Sequence, residues 1–326
     1  MRILVTGGAG FIGTNLCLAA RKKGIKVLGI DNLSKRSSTK NLPLLTKAGV
    51  RFIRADLRKP LQSLGNVDTI IHLAAHCSTP RSFRKPVSDF LDNALGTLNV
   101  LEYARKRGKI PVIYASTIKV YSDTVNRLPI KATRTRYTLL KEKTIDERFP
   151  IEPGSHSPYG CSKYAGDLYC QEYWQSFGVP TVVNRLSTVF GPHQHGSEEA
   201  GWIFHFVNSK KQSQPVTVFG TGKQVRDALW VDDLTGLLLK QIDKIEKVKG
   251  NVYNVGGGNK NSLSLLELID RLNRKGGKPL AVKFDKTRRS DLKVFICNLS
   301  KIKRDLRWQP TTDVWTGIDT LYQELP

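Results

Sequence analysis

Short unbroken apolar runs alternate with longer stretches of helical periodicity through the first third of the chain. The runs are "RILVT" from residue 2, "KVLGI" leading to Asp31, "VRFIRADL" containing Asp56, "TIIHLAA" ending at Ala74 and Ala75, and "IPVIYAS" ending at Ser116. Between them, "TNLCLAARKKG" and a segment near residues 86–107 carry apolar residues at helical spacing. A strand buried on one face alternates apolar with polar residues, whereas a strand covered on both faces stays apolar throughout. These runs are of the second kind. Together with the helices between them they predict an α/β chain on a doubly wound parallel sheet, with its ligand crevice at the carboxyl ends of the strands.

The turn after the first run narrows the ligand. "GGAGFIG" places Gly7, Gly10 and Gly13 at the spacing G-x-x-G-x-x-G between a strand and a helix. Gly7 permits the tight turn, Gly10 lets the backbone approach a pyrophosphate, and Gly13 lets the helix lie close to the sheet. The free N–H groups of the helix start, at Phe11 and Ile12, then face the phosphates. Asp31, with Asn32 beside it, suits the two ribose hydroxyls of NAD and repels a 2′-phosphate. Lys35 and Arg36 lie nearby and pull toward NADP. Asp56 and Leu57 are expected at the adenine. Leu73, Ala74 and Ala75 are expected to form a strand end on which the cofactor lies flat. The expectation is a Rossmann sheet that binds NAD.

Composition adds fewer constraints, except for charge. At 326 residues, 40% hydrophobic and 25% charged, the chain suits one large α/β unit or two lobes sharing a cleft. No apolar run approaches the roughly 18 residues that span a bilayer. The start reads as a strand, with neither an apolar leader nor a cleavage site. No membrane association and a cytoplasmic location are expected. Cys17, Cys77, Cys161, Cys170 and Cys297 are odd in number and lack ligand spacing, which predicts reduced thiols and no metal. The net charge of +24 raises the question of nucleic acid. The 52 Lys and Arg are scattered, however, without finger spacing or an aromatic RNA-binding signature. They are read as a solvated surface with a share that steers an anionic substrate.

"SPYGCSK" sets Tyr159 and Lys163 one helical turn apart. Alone this reads first as a surface helix, with an amphipathic Tyr and a solvated Lys. The ordered set "GGAGFIG", "DNLS", "HLAA", "YAST…VYS", "SPYGCSK", "FGTGKQVRDALWVDDL" and "YNVGGG" decides between the two. Over nearly the whole chain it resembles the extended short-chain dehydrogenase/reductase family, the nucleotide-sugar epimerases and dehydratases. The resemblance implies that Tyr159 transfers the proton and that Lys163 lowers its pKa and holds the nicotinamide ribose. Thr117 would hydrogen-bond the reacting hydroxyl, with Ser116 the weaker choice. A free tyrosine titrates near 10. An ammonium one turn away and the charge of NAD+ favour the phenolate, so a lowered Tyr159 pKa is expected.

The same resemblance narrows the reaction. Sugar 4,6-dehydratases of the family carry acids after the Thr, where this chain reads "STIKVY". Ile118 transfers no proton and Lys119 is a cation, so epimerisation or one-way reduction remains. "STIKVYSD" and the 42 positions from Thr117 to Tyr159 resemble the branch that inverts carbon 2 of CDP-sugars. A UDP-sugar 4-epimerase, an NADPH-dependent nucleotide-sugar reductase and a non-catalytic NAD-binding protein stay open. Thr188 replaces an Asn expected to face the substrate in 4-epimerases. Arg226 and Arg289 are expected on the substrate diphosphate, although each could instead pair with Asp227 or Asp291, and Arg288 rivals Arg289. His193 and His195 are read as cleft-wall groups. The cofactor part is expected at residues 1–186 and 227–257, and a smaller C-terminal substrate-binding lobe at 187–226 and 258–326. A homodimer through helices near 86–107 and 161–178 is implied by the resemblance.

Overall fold

The computed structural model describes residues 1–141 and 143–325. Each early apolar run contains a strand: β1 Arg2–Thr6, β2 Lys26–Asp31, β3 Arg51–Arg54, β4 Thr69–His72 and β5 Val112–Thr117. A hairpin of β6 Ile130–Ala132 and β7 Tyr137–Leu139 occupies the long segment ahead of Tyr159. Then follow β8 Thr181–Leu186, β9 Thr188–Phe190, β10 Val216–Phe219, β11 Val225–Trp230 and β12 Asn251–Val255. The last are β13 Ser262–Ser264, β14 Val282–Asp285 and β15 Val294–Phe295. Seven strands in the order β3-β2-β1-β4-β5-β8-β12 form one wholly parallel sheet.

Both faces of this sheet are covered, which is why the runs are unbroken. In β1, Ile3 and Val5 join one buried cluster with Leu16, Leu234 and Leu238. Leu4 joins the other, with Val100, Leu101 and Cys170. Helices Phe11–Lys22 and Val231–Asp243 cover the first face; Gly96–Lys106 and Ser157–Phe177 cover the second. The first helix lies so close that a Cβ at Gly13 would stand 2.1 Å from the Gly7 carbonyl oxygen.

The helix expected near 86–107 is broken by a π turn at Leu91–Leu95. Its Asn93 bonds the backbone of His76 and the hydroxyl of Ser162, and such turns commonly place side chains near sites.

The smaller lobe is built on β11, flanked by β13 and β15 and extended by β9. Its core gathers Phe190, Trp230, Leu263 and Ile318. The returning segment 227–257 divides. Asp227–Trp230 pair in this smaller sheet, whereas helix Val231–Asp243 and β12 lie with the large one. The β6–β7 hairpin packs on the lobe, with Arg136 forked onto Glu267 and Tyr137 N–H bonded to Lys223 O at 2.9 Å.

One buried ion pair joins helix Ser157–Phe177 to the sheet. Arg185 of β8 donates to Asp167 at 2.9 and 3.2 Å, and Ser116 of β5 donates to the same carboxylate at 2.8 Å. The two charged side chains are 5% and 0% exposed, so removing one strands the other without water. Asp167→Ala should lower the unfolding free energy by about 3–5 kcal/mol in denaturant titration. An unchanged midpoint would show that the pair carries no stability.

Candidate active site

A cleft of about 1380 Å³ opens at the carboxyl ends of β1, β2, β4 and β5 and runs into the smaller lobe. The glycine turn forms one end. Gly7 has φ +65°, and an added Cβ there would stand 2.8 Å from the Ala74 backbone. Helix Phe11–Lys22 starts at Gly10 with no side-chain cap and no acid in its first turn. Its first N–H groups are therefore left for an anion. Asp31 accepts the Leu33 N–H at 2.8 Å. Burial raises the Asp31 pKa, offset in part by that bond and by the Lys35 charge. Lys35 itself reaches the Ala75 carbonyl at 3.3 Å. Phe11, Ile12, Gly13, Asn32, Leu57, Leu73, Ala74 and Ala75 share the same cleft. Asp56 lines it too, but its carboxylate is forked by Arg58 at 3.0 Å, which holds its pKa below the ordinary range. An uncapped helix start, a side-chain-free turn and a carboxylate at the end of β2 fit a dinucleotide.

Thr117, Tyr159 and Lys163 all line the cleft. Thr117 ends β5, and Tyr159 stands in the first turn of Ser157–Phe177. Thr117 acts on the Tyr159 hydroxyl in the direction of a lower pKa. Lys163 is buried, its ammonium 4.2 Å from the centre of the Tyr114 ring. Burial raises the Tyr159 hydroxyl well above its ordinary value, and Cys77 adds to the rise. Burial also pulls Lys163 down to about 8. The expected fall in the Tyr159 pKa is thus reversed in the protein alone, because the loss of water around the phenol dominates. Ser116 lines the cleft but spends its hydroxyl on Asp167.

At the far end, Arg226 is paired. Its Nη2 donates to Asp291 Oδ1 at 2.7 Å and its Nη1 to Val225 O at 2.8 Å. Of the two partners left open by the sequence, Asp291 is the one engaged. Asp227 is buried instead against Ser187 and the Gly258 N–H. Arg289 is exposed at the cleft wall, and Thr188, His193 and His195 line the same cleft. Arg288 stacks 3.7 Å from the Phe219 ring centre and donates to the Glu198 carbonyl.

Three features were missed by sequence reasoning. Lys119 lines the cleft beside Arg226. Asp89, Asn93 and Ser162 form a buried hydrogen-bonded group beneath Tyr159. Glu199 crosses the cleft to Ser78 at 2.9 Å and Arg84 at 2.6 Å. Lys119 carried a signal, a cation next to Thr117. The other two are long-range and carried none. Among the described residues no three His, Cys, Asp or Glu stand close enough to hold a metal. No helix of the described residues is long and apolar enough to cross a membrane.

Residues 3–256 match the NAD dependent epimerase/dehydratase family. The chain belongs to that family. CDP-paratose 2-epimerase of Salmonella typhi is 36% identical over 99% of this chain and 98% of its own. UDP-glucuronate 4-epimerase of Thermodesulfobacterium geofontis is 28% identical over 97% and 93%. Among solved structures, UDP-glucuronic acid 4-epimerase of Bacillus cereus, in complex with UDP-glucuronic acid and NAD, is 29% identical. Its TM-score is 0.83 over 99% of this chain and 98% of that one. This epimerase/dehydratase family member is an enzyme, and its cofactor is NAD. Asp31→Ala should weaken NAD and narrow its advantage over NADP in a binding titration. An unchanged preference would remove Asp31 from cofactor selection.

Proposed function

We propose that this protein inverts carbon 2 of a CDP-activated sugar, in the manner of a CDP-paratose/CDP-tyvelose 2-epimerase. The observation that carries the reading is the 36% identity over nearly the full length of CDP-paratose 2-epimerase. UDP-sugar 4-epimerisation is the second reading, favoured by the structural likeness to UDP-glucuronic acid 4-epimerase. The large sheet and its helices hold the cofactor, and the lobe around β11 holds the nucleotide sugar.

Bound NAD would supply a hydride acceptor and donor and a positive charge. Thr117 orients the substrate hydroxyl, and Tyr159 Oη takes its proton as the carbon is oxidised. Lys163 keeps a positive charge beside the phenolate. The dry cleft protects the ketone, which presents its other face before the carbon is reduced. Tyr159 then returns the proton to oxygen. The hydrogen on carbon never enters water, and no cofactor is consumed.

We also infer a homodimer. Val87 and Phe90 are 70% and 55% exposed, and Leu168 and Tyr169 on the neighbouring helix are 47% and 46% exposed. Such a set of large apolar side chains suits an interface. Light scattering should give twice the chain mass, and Phe90→Glu with Leu168→Glu should give the monomer. A monomeric wild type at micromolar concentration would exclude the pairing.

The reaction is tested by NMR of CDP- and UDP-sugars turned over in deuterated water. We expect inversion at carbon 2 of the CDP-sugar without deuterium there. Tyr159→Phe should slow it by about 10²–10⁴-fold with NAD still bound. Inversion of a UDP-sugar at carbon 4 alone would replace the first reading by the second, and stoichiometric deuterium would exclude hydride return.

A further inference from the structure

The turn that follows Thr117 carries a second cation into the cleft. Lys119 lies in the 3₁₀ turn Ile118–Val120, and its backbone N–H bonds the Thr117 Oγ1 at 3.2 Å. Its side chain, 19% exposed, bends toward the smaller lobe. There Nζ donates to the Ser290 carbonyl at 2.9 Å and stands 3.9 Å from Asp291 Oδ1. Asp291 already accepts from Arg226 at 2.7 Å and from the Leu292 N–H at 3.0 Å. Asn126 braces this segment from the other side, bonding the Asp291 carbonyl and the Lys293 N–H.

The charges of this group do not balance. Lys119 and Arg226 are two cations against one carboxylate, in a part of the cleft where all three side chains are a quarter exposed or less. Burial already pulls Lys119 down to about 8, with Arg226 acting in the same direction against Asp291. Positive charge left over in a partly dry site is stabilised by an anion from outside. An ammonium with three protons and one hydrogen-bonded carbonyl has donors to offer it.

We propose that Lys119 is a substrate-binding residue, which together with Arg226 holds the β-phosphate of the nucleoside diphosphate sugar next to Thr117. This rests on the carbon-2 reading. Carbon 2 is bonded to the phosphate-bearing carbon 1, so a reacting hydroxyl on Thr117 places the phosphate within reach of the next turn. In a 4-epimerase the reacting carbon lies across the ring from the phosphate. Lys119 thus helps choose which carbon meets Tyr159, and it takes the place of a proton-transferring acid with a group that binds charge.

The test is calorimetric titration of the NAD-loaded protein with CDP and with UDP. Lys119→Met should weaken both by about 10-fold or more, as expected for a lost charge-assisted bond, and leave NAD affinity unchanged. Lys119→Arg should stay within about threefold, and KM for the sugar should rise more than kcat falls. If Lys119→Met no longer binds NAD, Lys119→Gln is read in its place. Unchanged CDP and UDP affinity in a variant that keeps NAD overturns the proposal. The product NMR of the wild type reports the inverted carbon independently, so a failure of the carbon-2 reading is seen there and not in the titration.

Discussion

A single carboxylate buried between three elements sets the geometry of the cleft. Asp167 belongs to helix Ser157–Phe177, yet it is bonded by Ser116 at the end of β5 and forked by Arg185 in β8. Arg185 in turn donates to the Tyr121 hydroxyl, which donates to Asn254 in β12. The network runs across the sheet just below the cleft. Thr117 is the neighbour of Ser116, and Lys163 lies one turn before Asp167, so the carboxylate fixes the meeting of Thr117, Tyr159 and Lys163. Apolar residues of equal volume would fill the space as well, but without directional bonds they would not fix the helix azimuth against two strands.

The same dryness that makes this pair rigid controls the proton. Burial raises Tyr159 and lowers Lys163, so each loses stability in its charged form. A phenolate forms readily in such a place only when more positive charge stands beside it. Bound NAD brings that charge. In the proposed reaction, proton transfer is thereby tied to cofactor occupancy, and the tyrosine stays protonated while the site has no hydride acceptor to match it.

Part of the strong positive charge of the chain lies in the cleft. Arg226, Arg288, Arg289 and Lys119 all line the cleft. Glu199 reaches over to Ser78 and Arg84 while the neighbouring Glu198 carbonyl accepts from Arg288. One short loop is thus bonded to both walls. For the proposed nucleotide-sugar substrate, long-range attraction would draw the anion in and short directional bonds would orient it.

The sequence by itself determined the sheet, the glycine turn and the residues that share the cleft. Each is written in local patterns: unbroken apolar runs for strands covered twice, glycines where no Cβ fits, and a Tyr and Lys one turn apart. The tertiary structure decided what those residues are bonded to. Arg226 found Asp291, Asp56 found Arg58 and Ser116 found Asp167, each by hydrogen-bond geometry that residue spacing does not encode. The direction of the Tyr159 pKa was decided there too. Desolvation depends on every neighbour that excludes water, which the helical spacing of Tyr159 and Lys163 does not encode. Lys119 shows the division most plainly. In the chain it is a cation two residues after Thr117; in the fold it is an ammonium held between that turn and the Ser290 carbonyl of the smaller lobe.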